Sequence, residues 1–269
     1  MIERLEEEAI LNALKTEKFG RAAFCFEEID STNAFAKRLA IHGEPEGTLV
    51  YAESQTRGRG RWSRSWDSAK GKGLWFSLIL RPDWDASSVS KLTLMAVTSM
   101  ALAVERLTGL NPKVRWPNDL MMGEKKLAGL LAETSVVRED VSYVVLGMGI
   151  NVLHARKDFS ADVRDKAISL RMAGVAHVDR VSLLSEILLQ LENDYKAIAS
   201  RGFDFVLQRW ASRSSILGKD VLVRVNHHEV EGVVKGFHDN GDLVLVAHDG
   251  EERRYSNGDV VEVRDAVRR

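Results

Sequence analysis

The chain has 269 residues, carries 38 Lys and Arg against 39 Asp and Glu for a net charge of −1, and is 45% hydrophobic. That length suits one large domain plus a small one; the hydrophobic content excludes wholesale disorder, and the charge balance excludes a general nucleic-acid coat. The single cysteine, Cys25, excludes an intrachain disulfide framework and a cysteine-rich zinc site, and reads as a small hydrophobe on a strand.

Residues 2–18 predict a helix with acids early (Glu3, Glu6, Glu7, Glu8) and Lys15 and Lys18 late, as the helix dipole favours. This acidic start is unlike a secretory leader, and no run approaches the ~18 apolar residues of a membrane span, so a cytoplasmic protein is expected. Residues 23–27 predict a strand, Asp30-Ser31-Thr32-Asn33 caps a helix running to Ile41, and residues 48–53 predict the next strand. A long polar segment covers residues 54–73. Residues 74–80 predict a compact strand bounded by Arg81-Pro82, and residues 87–107 a buried helix, because it is apolar nearly all round. Strands are predicted at 113–116, 120–122, 126–133 and 142–151, with tight connections that favour antiparallel pairing. Residues 181–213 return to helix, with Leu183, Leu184, Ile187, Leu188 and Leu191 as its apolar face. After Gly218 come five short strands, 221–225, 230–237, 243–247, 252–255 and 260–263, with hairpin turns at Asn240-Gly241 and Asp249-Gly250. The expected architecture is an α+β domain over residues 1–215 and a small SH3-like β-barrel over residues 216–269.

The polar segment carries the strongest chemical signal. Between Arg57 and Lys72 it holds six cations (Arg57, Arg59, Arg61, Arg64, Lys70, Lys72) and one acid, Asp67, a local charge of +5. Interleaved Gly58 and Gly60 let backbone approach a ligand closely, and arginine forks match carboxylate and phosphate oxygens. The segment is neither a P-loop nor a dinucleotide fingerprint. A small-molecule carboxylate or phosphate clamp is the preferred reading; a solvated basic loop, or an RNA-contacting loop with Trp62 and Trp66 as stacking platforms, are the alternatives. With no evident partner for its cations, the loop is expected to be mobile when empty and to order around an anion.

Three further segments stand out. Arg115-Trp116-Pro117-Asn118-Asp119 reads as a strand end and turn. Lys126-Leu127-Ala128-Gly129-Leu130-Leu131 opens a strand whose small residues invite close approach. Gly147-Met148-Gly149-Ile150-Asn151 places two glycines near a strand end, where a bulge is the bland reading.

Taken in order, Asp30-Ser31-Thr32-Asn33, Ala52-Glu53-Ser54-Gln55 leading into Gly58-Arg59-Gly60-Arg61, Trp116-Pro117-Asn118-Asp119, Lys126-Leu127-Ala128-Gly129-Leu130 and residues 147–151 resemble the biotin protein ligases. The resemblance implies a class II aminoacyl-tRNA-synthetase-like α+β catalytic domain with a C-terminal SH3-like barrel. It implies an ATP-dependent ligase that joins biotin to AMP as biotinyl-5′-AMP, then transfers biotin to a lysine of a biotin carboxyl carrier protein, that of acetyl-CoA carboxylase being the expected partner. Carried over by resemblance, Ser31, Thr32, Asn33 and Gln55 meet the biotin ureido group, with Gly129, Leu131 and Gly147 lining its pocket. Arg59, Gly60 and Arg61 lie in a loop that closes over the ligand, and Lys126 contacts it near its reacting carboxylate. Lys126, Arg59 and Asp119 are the expected catalytic set. Arg61, Arg64, Arg115, Asn118, Asp119 and Asn151 are expected on the ATP side, with Mg2+ arriving on the ATP phosphates.

Two positions depart from the family pattern: Arg115 stands where Lys is common before Trp-Pro-Asn-Asp, and Trp62-Ser63-Arg64 stands where Arg-Gly-Arg is common. Trp62 reads as a cover for the site or a brace for a subunit contact. Regulatory family members carry an N-terminal winged-helix domain. Only 22 residues precede the first predicted strand here, so neither DNA binding nor repressor activity is expected. A homodimer through the sheet edge is one option for assembly.

The competing readings are a lipoate or octanoyl ligase or transferase, which shares the fold but wants an apolar tunnel, and a nonenzymatic nucleic-acid-binding protein. The Ser31-Thr32-Asn33 and Gln55 set favours a ureido ligand over the first; the charge balance argues against the second. No G-x-S-x-G elbow or H-E-x-x-H motif occurs. His227, His228, His238 and His248 read as surface residues, and Trp75, Trp84 and Trp210 as packing.

Overall fold

The structure, a computed structural model, describes residues 5–83, 89–137, 140–226 and 228–265. The expectations for residues 2–4, Trp84, residues 87–88 and His227 fall outside them. Among the described residues no helix is long and apolar enough to cross a membrane.

The N-terminal helix is shorter than predicted: α1 spans Glu7–Ala13. The chain leaves helix because the Glu192 carboxylate, on a distant helix, accepts the backbone N–H groups of Glu17, Lys18 and Phe19 at 2.7, 2.6 and 3.1 Å. Those bonds satisfy the backbone from outside, a competition that local sequence does not display. Strand β1 (Ala23–Ile29), helix α2 (Thr32–Ile41) and strand β2 (Leu49–Gln55) follow. β1 and β2 pair in parallel, as a helical crossover permits.

Next come β3 (Gly73–Leu80), α3 (Val89–Thr108), β4 (Lys113–Arg115), β5 (Asp119–Met122), β6 (Lys125–Val137) and β7 (Asp140–Asn151). The seven strands form one sheet in the order β1-β2-β3-β7-β6-β5-β4, antiparallel everywhere except β1–β2. β3 is buried at every position because both faces are covered. Strand alternation divides its residues. Leu74, Phe76, Leu78 and Leu80 face the main core with α3 and the long helix α4 (Arg180–Arg201). Ile79 faces the other way, meeting Val50, Val145 and Ala36 and Ala40 of α2. Trp75 and Ser77 share that second face.

The helix predicted over 181–213 is two helices. Gly202, with φ of 69°, ends α4, and α5 (Asp204–Arg213) starts in a new direction. A glycine in the left-handed region is a common helix stop. At the other end, Asp179 caps α4 by accepting the Val181 and Ser182 N–H groups. Arg180 pairs with Glu53 of β2 at 2.9 Å, both side chains nearly fully buried.

The C-terminal strands β8 (Asp220–Val225), β9 (His228–Phe237), β10 (Leu243–Val246), β11 (Glu252–Tyr255) and β12 (Asp259–Arg264) form an antiparallel sheet in the order β11-β10-β9-β8-β12. Gly241 and Gly250 turn the two hairpins at φ of 89° and 87°. This sheet docks on α5, α3 and the β4–β5 connection of the larger domain. Trp210 packs edge-on against Phe237 with ring centroids 4.3 Å apart. Trp116 Nε1 donates to the Gly241 carbonyl at 3.3 Å, and Ser90 Oγ to that of Asn240 at 2.9 Å.

Candidate active site

Strand register builds the floor of a cavity. Ser77 on β3 lies opposite Gly147 on β7, which lies opposite Leu131 on β6; Trp75 lies opposite Gly149, which lies opposite Gly129, itself opposite Asp119 on β5. Directly opposed residues share a face, so glycines from two strands leave a depression beside the start of α2. Other side chains fill what the glycines leave. A Cβ at Gly147 would stand 1.9 Å from Asn33 Oδ1, and one at Gly149 2.5 Å from Trp66 Nε1.

One end of the depression is a network of hydroxyls and amides. Ser31 caps α2, its Oγ accepting the Ala34 N–H. Thr32 donates to Gln55 Oε1 through its backbone N–H at 2.9 Å and its hydroxyl at 3.1 Å. Gln55 Nε2 donates to Ser68 Oγ at 2.8 Å. Ser77 Oγ lies 2.8 Å from Thr32 Oγ1 and 2.6 Å from Asn33 Oδ1. Asn33 Nδ2 donates to Glu133 Oε2 at 3.0 Å and to the Leu131 carbonyl at 3.3 Å.

The arginine loop forms the roof, and here the structure corrects an expectation. Every one of the six loop cations has an acidic partner: Arg57 with Asp30 (3.8 Å), Arg59 with Glu133 (2.6 Å), Arg61 with Asp259 (3.0 Å), Arg64 with Asp259 (2.6 Å), Lys70 with Glu27, and Lys72 with Asp158 (3.2 Å). The local charge is offset by acids distant in sequence, so the stated reason for an unrestrained empty loop fails. Within the loop Trp62 and Ser63 adopt left-handed backbone, φ 56° and 58°. Trp62 is half exposed, with the Arg61 guanidinium 5.4 Å from its ring centre.

Lys126 stands at the other end. Its Nζ is 2.6 Å from Asp119 Oδ1 and 5.2 Å from the Trp66 ring centre. The Lys126–Asp119 contact lies off the hydrogen-bonding direction and is best described as ionic. The Lys126 backbone is tied on both sides, its N–H donating to the Lys166 carbonyl at 2.8 Å and its carbonyl accepting from Ile168 at 3.0 Å. Asn151 Nδ2 donates to the Ile168 carbonyl at 3.1 Å and so braces the same segment. Asn118 Nδ2 donates to the Leu130 carbonyl, and Leu130 returns its N–H to the Asn118 carbonyl, which locks the turn before β5 to β6.

These parts enclose about 450 Å³, within the usual range for a small-molecule site. At the hydroxyl–amide end the lining includes Ser31, Thr32, Asn33, Gln55, Gly129, Leu131 and Gly147. From the loop it includes Arg59, Gly60, Arg61 and Arg64, and from the Lys126 end Asn118, Asp119, Lys126 and Asn151. The structure does not bring Arg115 to this cavity. Arg115, at the end of β4, pairs instead with Glu124 of the β5–β6 turn at 2.9 Å. Sequence reasoning missed Glu133, Phe159, Lys166 and Asp259, and considered Trp66 only as an RNA-stacking platform. Counting in twos from Gly129 and Leu131 puts Glu133 on the same face. Nothing local marks Asp259, and residues 159–167 carry no motif.

His154, beside this site, stacks on Phe159 (centroids 4.6 Å apart, planes at 9°) and meets Trp75 edge-on. Burial pushes its pKa down to about 4; Asp158 and Asp67 oppose that shift and Lys72 adds to it. The ring therefore folds neutral. Its contribution to stability is complete above the unfolded value near 6.5 and is lost as pH falls toward 4, a loss of about 3 kcal/mol. Thermal melts of wild type and His154→Phe across pH 7 to 4 check this: the variant's melting temperature is expected to fall less steeply. Parallel curves would contradict the assignment.

Comparisons with known proteins agree with this architecture. Residues 25–151 match the profile of the Biotin/lipoate A/B protein ligase family. The chain is 36% identical over 253 residues to the bifunctional ligase/repressor BirA of Bacillus subtilis, covering 94% of this chain and 78% of that protein. It is 33% identical over 241 residues to the biotin–[acetyl-CoA-carboxylase] ligase of Mycobacterium tuberculosis, covering 87% and 86%. Among solved structures, the biotin protein ligase of Aquifex aeolicus in complex with biotin and ATP superimposes with a TM-score of 0.78 at 26% identity, covering 91% of this chain and all of that one. The expected fold class, an α+β ligase domain followed by a small antiparallel β module, is borne out. By sequence and by fold, the chain belongs to the biotin protein ligase family.

Proposed function

We propose that this protein is an ATP-dependent biotin–[acetyl-CoA-carboxylase] ligase that makes biotinyl-5′-AMP and passes biotin to one lysine of a carboxyl carrier protein. The observation that carries the reading is the convergence of a hydroxyl–amide pocket, an arginine roof and Lys126 on one cavity. Residues 1–215 are taken as the catalytic domain and residues 216–269 as the C-terminal module.

In this reading Ser31, Thr32, Asn33 and Gln55 meet the ureido ring, whose two N–H groups and carbonyl need small partners of both kinds. The glycine depression gives the bicycle room. The biotin carboxylate then lies between Lys126 and the arginine roof, with the nucleotide toward Asn118 and Asp119. A carboxylate oxygen bonds to the ATP α-phosphorus while the α–β bridging bond breaks and pyrophosphate departs. Lys126, Arg59 and Arg61 lower the repulsion between the two anions and the charge that develops on the leaving group. In the second step the carrier amine adds to the acyl carbon, loses a proton, and AMP leaves. Among the described residues no group of three or more His, Cys, Asp or Glu side chains is placed to hold a metal ion. Magnesium carried by the ATP phosphates would have Asp119, which lines the cavity, as a nearby carboxylate, and would offset phosphate charge.

Pyrophosphate release with ATP plus biotin, lipoate or octanoate tests the reading. Release with biotin alone is expected; release with either aliphatic acid, or none with biotin, overturns it. The roof also predicts a leak. Arg61→Gly is expected to form adenylate yet let it escape, seen as biotin on lysines of a bystander protein. No increase over wild type contradicts that role.

A further inference from the structure

One contact joins the arginine roof to the C-terminal sheet. Arg61 Nη1 donates to Asp259 Oδ1 at 3.0 Å and to the Gly258 carbonyl at 2.9 Å, and Arg64 Nη2 donates to Asp259 Oδ2 at 2.6 Å. The Asp259 and Arg61 side chains are largely buried, while Arg64 is more open. All three line the cavity.

The arrangement is built from both sides. Asp259 opens β12 and is held in register opposite Arg224 of β8. Gly258 has φ of 149°, and a Cβ there would stand 2.9 Å from Val223 Cγ1 and 3.1 Å from the Arg224 carbonyl. Only glycine therefore presents that carbonyl and Asp259 together. On the loop, the left-handed pair Trp62–Ser63 turns the chain back so that Arg61 and Arg64 address one carboxylate.

Electrostatics gives the contact a purpose. Two guanidinium groups side by side repel, and burial makes the charged form of Arg61 harder to hold; Asp259 opposes both effects. The unit keeps a net charge of +1. Both guanidinium groups line the cavity and carry N–H groups beyond those that make these three bonds.

We propose that Asp259 is a positioning residue for the nucleotide: from the C-terminal sheet it holds Arg61 and Arg64 as a pair, pre-set to grip a nucleotide phosphate. The identity of that anion rests on the ligase reading; the clasp itself does not. The C-terminal module thereby completes the site instead of merely adjoining it.

The test uses the full chain with Asp259→Asn, which keeps the shape and removes the charge, and Asp259→Glu, which restores it. In ligand-free protein, amide hydrogen exchange over residues 57–66 is expected to be about tenfold faster in Asp259→Asn, the scale of one lost charge-assisted bond, with β3 and β7 unchanged. Arg64→Gln, which keeps the Asp259–Arg61 half, is expected to fall between. In pyrophosphate release, Asp259→Asn is expected to raise the KM for ATP about tenfold on the same grounds. The KM for biotin moves far less, because the hydroxyl–amide pocket does not touch Asp259, and Asp259→Glu recovers most of the loss. Unchanged loop exchange, or equal loss of both KM values with a lowered melting temperature, overturns the proposal. If wild type releases no pyrophosphate with biotin, the ligase reading fails, and the exchange comparison still decides the clasp.

Discussion

Replacing Lys126 by alanine is expected to slow biotin-dependent pyrophosphate release by about 10²–10³-fold, the loss seen when one preorganised transition-state donor is removed. The ammonium group is fixed at both of its ends. Its backbone is pinned between Lys166 and Ile168, and its Nζ rests between Asp119 and the Trp66 face. Removing it does two things. In the proposed arrangement it withdraws a cation beside the reacting carboxylate, and it leaves the Asp119 carboxylate without its Lys126 partner where the polyphosphate would approach. The second effect makes the two residues non-additive. Lys126→Ala/Asp119→Asn is therefore expected to recover part of the rate that Lys126→Ala loses. Single-turnover release measures both, with circular dichroism to show that the fold persists. Near-normal release from Lys126→Ala would contradict the role.

A single methyl group at Gly147 is expected to weaken biotin binding by about 30–100-fold, equivalent to two lost hydrogen bonds. The added Cβ would stand 1.9 Å from Asn33 Oδ1. Asn33 has no room to yield cheaply: its oxygen meets Ser77 and its amide serves Glu133 and Leu131. Displacing it releases Glu133 from one partner and disturbs the Arg59 contact as well. Gly236→Ala is the control, because nothing lies within 4 Å of its would-be Cβ and its φ is not positive. It is expected to bind biotin as wild type does. Calorimetric titration of both variants decides the matter; equal affinity for Gly147→Ala and wild type would remove the network from the account.

How much of this was legible in the sequence depends on the range of the interaction. The α2 cap at Ser31, the strand pattern through β7 and the Asn-Gly and Asp-Gly hairpins are local, and the structure has each of them. The helix break at Gly202 was also local, in a stretch whose leucine periodicity masked it. The N-terminal helix stopped early for a non-local reason, the reach of Glu192 from α4. The cavity shows the same division. Ordered motifs named most of its lining, yet none could say that Gly129, Gly149 and Trp75 share a row, because that follows from strand register. Least visible were the acids. Glu133 and Asp259 are 74 and 195–198 residues from the arginines they bind, so a +5 segment looked unpaired when its counter-charges were scattered along the chain. Arg115 differs in the opposite sense: its motif position suggests a nucleotide contact, while in the structure its partner is Glu124 of the β5–β6 turn.

In the proposed reaction one cavity joins an acid to a nucleotide and keeps the product. The most direct measurement is to incubate the protein with biotin, ATP and magnesium, remove free ligands by rapid gel filtration, denature, and identify what was retained by mass spectrometry. Biotinyl-5′-AMP is expected in near-equal amount to protein, discharged when an apo-carrier domain is added. Recovery of unreacted biotin and ATP, with no mixed anhydride, would contradict it.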